Sequence, residues 1–413
     1  MKEYILENGL KIIYKNTNSK LTSISISLDA GAAVDGEKLG IAHVTEHMVY
    51  KGTKKRSENE INKDLSNIFG FQNAMTNYPY VIYYGTLLSE EFEEGVEIFS
   101  DIIINPTFKE DGFKEEMDVI IEELKEWDEE VEQYCEDKLF FNSFNNRRIK
   151  YPIIGTLESL KSIKLEDVRL FYEKNYCPGN TSIGIVSSLK FEEVKSIIEN
   201  YFNNWNNNNL CCGNTGSDKY GSVDYEDCNK GTFINYREGI NSCKVQIIYP
   251  IESLDTKDIK ALRIFNEYFG EGVNSILYEK LRTENGLVYD VLTKIAYEKH
   301  IKLYKINFTT SKENLDKTLE LINECVDDLK NIRKYLDENK IKQFIKTLKL
   351  KRLFREEQSI ILAKELSTFS TMFGDYKVYT DELEGLEDIR VEDILSILDK
   401  IFKEPSIQII SGR

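Results

Sequence analysis

The sequence lacks the features that would point to nucleic acid or to membranes. Its net charge is −17, so it lacks the basic surface that binding to nucleic acid demands. No apolar run approaches the roughly 18 residues that a membrane-spanning helix needs. Residues 1–6 show no apolar core of a signal peptide. We therefore expect a cytoplasmic protein that binds neither nucleic acid nor membranes.

Cysteine is scarce and irregularly spaced. The seven cysteines are odd in number and include no C-x-x-C pair, so we do not expect a framework of disulfides. Cys211 and Cys212 are adjacent in a polar segment. A redox or metal role is one interpretation of this pair, and two ordinary free thiols are the other.

Histidine is rarer still, yet two of the three histidines, His43 and His47, lie four positions apart. They form an H-x-x-E-H motif with Glu46, which is typical of the inverzincin metallopeptidases. On a helix, residues four apart share one face, so both imidazoles can bind one zinc ion. Glu46 is placed to act on a water that the metal activates. The competing interpretation is a helix whose histidines only pack or face solvent.

A third metal ligand should be a carboxylate, because catalytic zinc sites usually keep three protein ligands and one open position. Residues 115–127 are rich in glutamate and carry an apolar stripe, which predicts a helix. Glu116 and Glu123 are seven positions apart and fall on nearly one face of it. Taken alone, this segment would indicate an acidic, solvated helix. Beside the histidine motif, it supplies candidate ligands.

Residues 40–53 closely resemble the active-site helix of the pitrilysin/insulinase family of zinc peptidases. In that family the third ligand is a glutamate of an E-x6-E motif downstream of the second histidine. Glu123 fits, since it lies 76 positions after His47 and follows Glu116 at the required spacing. The resemblance implies one Zn²⁺ per chain, held by His43, His47 and Glu123.

The same resemblance implies roles for four further residues. Glu46 would be the general base, and Glu116 a second carboxylate that orients the site. In the second half of the chain, Arg282 and Tyr289 match an R-x4-L-x-Y motif of the family. They would stabilise negative charge that develops on the substrate carbonyl oxygen.

Residues 70–76 resemble the family's substrate-edge strand, against which a peptide binds as an added strand. The expected substrate-binding residues are Phe71, Asn73, Ala74 and Thr76. Two positions depart from the family pattern: Phe71 replaces a glycine, and Thr45 replaces a leucine within the zinc motif. The first is expected to alter substrate subsites, and the second to change packing beneath the helix without changing a ligand.

The chain divides near its middle. Residues 206–231 are rich in asparagine, glycine, aspartate and serine, which indicates a linker or long surface loop. We expect a zinc-binding peptidase domain over residues 1–205 and a second domain over 232–413 that lacks the zinc motif. The two halves show similar orders of strands and helices, which suggests an internal duplication. The predicted fold class is α+β, with helices on one face of a mostly antiparallel sheet in each half.

The expected function is a zinc endopeptidase that hydrolyses short or unfolded peptides, either for turnover or for maturing a specific precursor peptide. Short members of the family pair two subunits, which implies a homodimer with composite active sites or a heterodimer with a related subunit. One alternative is a non-catalytic peptide-binding or assembly subunit of a heteromeric processing complex. Another is a metal-sensing or structural zinc protein, although structural zinc sites are usually closed by four protein ligands.

Overall fold

The computed structural model describes residues 1–206 and 226–413. Cys211, Cys212 and most of the predicted linker lie outside the described residues. The strands, in chain order, are β1 (Lys2–Ile5), β2 (Lys11–Asn16), β3 (Leu21–Leu28), β4 (Phe69–Thr76), β5 (Val81–Leu88), β6 (Thr181–Ser187), β7 (Gly231–Arg237), β8 (Cys243–Pro250), β9 (Val288–Glu298), β10 (Ile301–Thr310) and β11 (Ser406–Gly412).

Helices account for most of the remaining regular structure. In chain order they are α1 (Ile41–Val49), α2 (Glu58–Ile68), α3 (Phe92–Ile104), α4 (Glu110–Glu129), α5 (Val131–Ser143), α6 (Leu157–Ser162), α7 (Leu165–Asn175), α8 (Phe191–Phe202), α9 (Thr256–Phe269), α10 (Ile276–Tyr278), α11 (Leu315–Asp328), α12 (Glu338–Glu356), α13 (Ser359–Phe373), α14 (Lys377–Thr380) and α15 (Val391–Ile401). Among the described residues, no helix is both long enough and apolar enough to cross a membrane.

The chain forms two compact units, and neither is a continuous half of the sequence. Among the described residues, unit 1 comprises Met1–Glu126, 151–206 and Arg355–Thr380. Unit 2 comprises Trp127–Lys150, 226–354 and Asp381–Arg413. Each unit therefore contains a helical segment from the other half of the chain, which the expected boundaries at 205 and 232 do not anticipate.

Unit 1 is built on a six-stranded sheet with the order β1-β2-β6-β3-β5-β4. Only the β2–β6 pair is parallel, and the other neighbours are antiparallel. Strand β4 lies at one edge of this sheet, next to β5 alone. This edge is the one that the sequence predicts to bind peptide.

Unit 2 repeats this arrangement with a five-stranded sheet of order β7-β11-β8-β10-β9. Here too a single pair is parallel, β7 with β11, and the remaining pairs are antiparallel. The predicted α+β class, with two similar units and mostly antiparallel sheets, is confirmed.

Helix α13 covers a polar face of the unit 1 sheet. Successive side chains of a strand point to opposite faces, so Ser23, Ser25 and Ser27 of β3 share one side. The hydroxyls of Ser25 and Ser367 lie 2.8 Å apart, as do those of Ser23 and Ser359. The sequence predicts helices on one face of each sheet, whereas this helix, from the second half of the chain, buries the serine-bearing face as well.

Helix α5 makes the corresponding packing in unit 2, where it lies against β8 and β11. The Asn142 amide nitrogen donates to Gln408 Oε1 at 2.7 Å, and the Gln246 amide donates to the Glu132 carbonyl at 3.1 Å. A partly buried ion pair joins Lys305 to Glu136. Helix α5 of unit 2 and helix α13 of unit 1 therefore both pack on sheet faces that carry polar side chains.

Four cysteines are free and buried, namely Cys135, Cys228, Cys243 and Cys325. Cys177 is disulfide-bonded. No framework of disulfides is expected from the sequence; among the described cysteines these four are free, whereas Cys177 forms a disulfide.

Candidate metal centre

Helix α1, which carries the H-x-x-E-H motif, begins at a tightly packed glycine. Gly40 adopts φ 91°, a conformation that side chains disfavour, and a Cβ there would collide with the carbonyl of Ile154. The carboxylate of Asp35 accepts hydrogen bonds from the backbone N–H groups of Gly40 at 2.7 Å and Ala42 at 3.0 Å. These contacts satisfy donors of the first turn and fix the direction of the helix.

Thr45, which departs from the family pattern, is fully buried within α1. Its hydroxyl donates to the carbonyl of Ile41 at 2.7 Å. The polar atom therefore has a partner inside the helix, so the substitution costs no unsatisfied hydroxyl. It leaves the three candidate ligands untouched, as predicted.

His43, His47 and Glu123 come together as the sequence predicts, with one candidate ligand atom from each within 4.8 Å of the others. Helix α1 places the two imidazoles on one face, and α4 brings Glu123 opposite them. His43 Nε2 lies 3.6 Å from Glu123 Oε1, and His47 Nε2 lies 3.5 Å from Glu123 Oε2. The carboxylate thus faces both rings.

These separations fit a shared zinc ion better than direct pairing. Ligand atoms about 2.0–2.2 Å from one tetrahedral zinc ion lie roughly 3.3–3.6 Å from each other. The two observed distances, 3.5 and 3.6 Å, fall at that spacing and are long for hydrogen bonds. Neither ring nitrogen of His43 is hydrogen-bonded to a described residue, and its Nδ1 is buried without a partner. The residues present therefore fit the metal.

A series of charged side chains begins at the Nδ1 atom of His47. Its Nδ1 lies 2.8 Å from Glu116 Oε1, a contact that leaves Nε2 facing Glu123. The other oxygen of Glu116 lies 3.0 Å from Lys51 Nζ, which also contacts Glu58 at 2.8 Å. Glu116 thus contacts the candidate ligand His47 and Lys51 while lying outside the cluster of candidate ligands. Sequence reasoning missed Lys51, although it lies four positions after His47.

The electrostatics of the site favour a bound cation. Burial, reinforced by His47, lowers the pKa of His43 to about 3, so this ring stays neutral. Burial also lowers the pKa of His47, but the hydrogen bond to Glu116 and the nearby carboxylates outweigh that effect and raise it overall. Burial raises the pKa of Glu123, with smaller effects from its charged neighbours. The surplus of carboxylates that stabilises a charged imidazole also favours a divalent ion.

Glu46 is buried beside these ligands. Its Oε2 accepts a hydrogen bond from the Thr76 hydroxyl at 2.7 Å. Burial raises the pKa of this carboxyl, while His47 and the Thr76 hydrogen bond act in the opposite direction. Thr76, predicted to bind substrate, is itself buried with its hydroxyl committed to Glu46, so it positions this carboxylate.

A cavity of about 230 Å³ connects Glu46 and His47 to the edge strand β4. Asn73 and Ala74 line it. Phe71 does not line it; its side chain is half exposed on the same strand, with its ring centroid 5.9 Å from that of Tyr84. Of the predicted substrate-binding residues, the structure therefore brings Asn73 and Ala74 to the metal centre, whereas Phe71 lies further along the edge.

Tyr50 also lines this cavity and was missed from the sequence. Its hydroxyl is buried without a hydrogen-bond partner, and burial raises its pKa well above the ordinary value. Its ring packs against Tyr83 at a centroid distance of 5.9 Å. The tyrosine is therefore part of the wall of the site rather than of the metal-binding set.

Arg282 and Tyr289 belong to unit 2, where they contact each other. The Arg282 guanidinium lies 4.7 Å from the centroid of the Tyr289 ring and 5.0 Å from that of Tyr278. Tyr289 is 82% exposed, so its hydroxyl is open to a ligand. The Arg282 segment is a short π-helix, Glu279–Glu284, which often occurs at functional sites.

Two models of one peptidase family match this chain. The model described as insulinase (peptidase family M16) matches residues 11–157, which contain the candidate metal ligands. The model described as peptidase M16 inactive domain matches residues 162–348, which contain Arg282 and Tyr289. The two matched segments follow one another along the chain.

Relatives of similar length match almost the whole chain. An uncharacterized zinc protease of Rickettsia felis is 24% identical over 98% of this chain and 96% of its own length. The mitochondrial-processing peptidase subunit beta of Caenorhabditis elegans is 23% identical over 97% of this chain and 87% of its own. A protease from Helicobacter pylori has the same fold, with a TM-score of 0.85 at 19% identity and 99% coverage of both chains.

Proposed function

Because the chain belongs to the insulinase family of peptidases, peptidase family M16, we propose that it is a zinc-dependent endopeptidase. Its substrates are short or unfolded peptides. The names of the relatives, two of which are a zinc protease and a subunit of a processing peptidase, support the reaction class. A narrower form of the proposal is that the enzyme matures a specific precursor peptide.

The convergence of His43, His47 and Glu123 carries this proposal. Their mutual distances fit one zinc ion per chain, and Glu46 lies next to them in a buried position. When bound, zinc supplies Lewis acidity, which polarises a substrate carbonyl and lowers the pKa of water. A structural zinc site would usually have a fourth protein ligand, and the described residues offer only these three within reach.

Glu46 has the properties of a general base. Burial raises its carboxyl pKa above the ordinary value, and a carboxyl with a raised pKa returns the proton it has accepted more readily. The Thr76 hydroxyl holds Oε2 at 2.7 Å, which leaves Oε1 to take a proton from water and to pass it to the leaving amine. Glu116 keeps the His47 ring in place through Nδ1.

The peptide binds to the free edge of β4. Asn73 and Ala74 of this edge strand line the same cavity as Glu46, so an added strand would bring its backbone to the base. Backbone hydrogen bonds of this kind tolerate many sequences but require an extended segment. Flexible peptides should therefore be cleaved, and tightly folded proteins should not.

The active unit is a homodimer with composite sites, in which Arg282 and Tyr289 of one subunit complete the metal centre of the other. Two observations support it: the metal ligands and the Arg/Tyr pair belong to different units of the chain, and Tyr289 is highly exposed. A heterodimer with a related subunit is the alternative arrangement. A purely non-catalytic assembly subunit is less well supported, because the ligand set and Glu46 are complete.

Substitution of Glu46 by glutamine tests the reaction directly. Glutamine has nearly the same shape but accepts no proton at neutral pH. The Glu46→Gln protein should retain zinc and bind a fluorescent model peptide with wild-type affinity, while hydrolysis falls at least 1,000-fold, about the general-base contribution. Glu94→Gln, at an exposed carboxylate of α3, is the matched control and should keep full activity. Turnover by Glu46→Gln within a few-fold of wild type would exclude this carboxylate as the base.

A further inference from the structure

Helix α12 presents a cluster of exposed apolar side chains that the proposed reaction does not use. Leu350, Leu353 and Phe354 are 63%, 63% and 68% exposed. They occupy positions i, i+3 and i+4, so they share one face of the helix. Among the described residues, only three other large hydrophobic side chains exceed 60% exposure. Clusters of this kind mark interaction sites more often than single exposed residues do.

The cluster borders a groove within unit 2. A cavity of about 480 Å³ lies along α12, with Ile345, Leu350 and Leu353 among its lining residues. Ile345 is buried and forms the floor. Glu387 and Lys349 also line the cavity and pair with each other. The surface is therefore concave and apolar, with charged groups only at its rim.

Two positive charges on that rim are not neutralised. Lys342 and Lys346 line the groove, are exposed, and form no ion pair with a described residue. In contrast, Lys351 and Arg352 on the same helix pair with carboxylates of unit 2. Uncompensated lysines in a protein of net charge −17 make this rim complementary to acidic groups.

The charge pattern also discriminates between occupants. Symmetric self-association places the same patch on both sides of a two-fold axis, so it would bring this basic rim against itself. A flat anionic bilayer would contact the convex parts of the surface and meet repulsion from the acidic remainder of the protein. An apolar side chain flanked by carboxylates can enter the groove and reach both lysines.

We propose that the α12 groove, lined by Lys342, Ile345, Lys346, Leu350 and Leu353, binds an acidic amphipathic helix of another protein. Residues 342–353 span roughly 17 Å at about 1.5 Å per residue, which matches about three turns of a partner helix. Its apolar residues, at spacings of three and four, would cover the exposed leucines and Phe354. Its glutamates or aspartates would pair with Lys342 and Lys346.

Binding of synthetic helices to the full chain tests the proposal. The probe is a fluorescent peptide of about 14 residues with leucine on one face and glutamate on the other, and its matched control carries lysine in place of glutamate. Fluorescence anisotropy should show micromolar binding of the acidic probe, weakened at least tenfold by Lys342→Glu/Lys346→Glu and by Leu350→Asn/Leu353→Asn. Lys161→Glu/Lys174→Glu, on exposed lysines of other helices, changes the net charge equally and should leave binding unchanged.

Several results would overturn the inference. One is an acidic probe that does not bind at 100 µM, or binds wild type and both groove variants equally. Another is a dimer that dissociates in the Leu350→Asn/Leu353→Asn variant by sedimentation, which would make the groove a self-contact. A third is wild-type binding to phosphatidylglycerol vesicles that is lost in the groove variants, which would assign the face to lipid. Circular dichroism confirms that each variant is folded.

Discussion

The hydroxyls of Ser25 and Ser367 lie 2.8 Å apart although 342 positions separate the two residues. This contact, with the similar pair of Ser182 and Ser370 at 2.9 Å, attaches α13 to the sheet of unit 1. The small serine side chains allow the helix to approach closely. At Gly184, a Cβ would collide with the carbonyl of Ala363, so the closest approach requires glycine.

Gly184→Ala should therefore destabilise the protein. The added methyl group must push α13 away from β6, and overpacking of this kind costs about 1–3 kcal/mol. Urea unfolding, followed by circular dichroism, measures the loss. Gly179→Ala is the matched control, because nothing lies within 4 Å of a Cβ there. Equal stability of the two variants would mean that the contact with Ala363 adapts without cost.

The elements that carry the site are predictable from the sequence because their signals are local. The H-x-x-E-H spacing predicts α1, and the structure forms a helix over Ile41–Val49. The similar orders of strands and helices that the sequence indicates for the two halves are also present. The edge position of β4 and the meeting of three ligands follow from these elements once the family resemblance sets their order.

The packing of α13 on the sheet of unit 1 could not be predicted from the sequence, because no local pattern indicates it. Alternating serines at Ser23, Ser25 and Ser27 resemble a solvent-facing side of a strand, yet all three are buried. Their partners lie far away in sequence, and a hydroxyl pair leaves no pattern in either segment. The hydrogen bond between Thr76 and Glu46 could not be predicted for the same reason, since a spacing of 30 positions does not indicate a contact.

Removal of a metal ligand should abolish zinc binding without unfolding the chain. His47→Ala eliminates one of three donors, so bound zinc measured by mass spectrometry after dialysis should fall from one ion per chain to nearly none. Glu116→Gln should weaken affinity roughly 10- to 100-fold, since it disturbs only the support of His47. His300→Asn, at the third histidine, is the control and should keep full occupancy. Full occupancy in His47→Ala would refute the assignment.

The hydrogen bond from the Thr76 hydroxyl to Glu46 should influence the acid limb of the pH profile of kcat/KM. Its hydrogen bond opposes the effect of burial and lowers the pKa of Glu46. Thr76→Val keeps the shape but removes the donor, so the pKa of the folded enzyme's base should rise. The base then becomes deprotonated only at higher pH, so the acid limb of kcat/KM should move to higher pH. An unchanged limb with lower activity throughout would indicate a purely structural role.

Asp137 should make stability depend on pH in a defined direction. Burial raises its carboxyl pKa from 3.8 to about 6, although Trp127 and Gln133 donate hydrogen bonds to it. The folded state therefore binds the proton more tightly, so this contribution to stability is complete below pH 3.8 and is lost as pH rises through about 6.

The variant Asp137→Asn removes that titration. Its free energy of unfolding, relative to wild type, should increase between about pH 4.5 and pH 7 by on the order of 1–3 kcal/mol. Urea unfolding at both pH values measures the change. Asp118→Asn, at an exposed position of α4, should show no such trend. A relative stability that is flat or falls with pH would contradict the raised pKa of Asp137.

Mixed dimers should regain activity if the sites are composite. Glu46→Gln and Tyr289→Phe should each be nearly inactive alone, because every site then lacks one group. When equal amounts exchange subunits, about half the dimers contain one subunit of each kind, given two-fold symmetry. One of the two sites in such a dimer has both Glu46 and Tyr289 intact. Activity should therefore approach roughly one quarter of wild type.

Subunit exchange is confirmed independently by energy transfer between differently labelled chains. Two samples of the Glu46→Gln protein, carrying the same pair of labels and mixed in the same way, give the baseline activity. If exchange is complete and activity stays at that baseline, the metal centre and Tyr289 are not shared between subunits. A species that remains monomeric by sedimentation and is fully active would equally refute the composite site, because Arg282 and Tyr289 would then act within one chain or not at all.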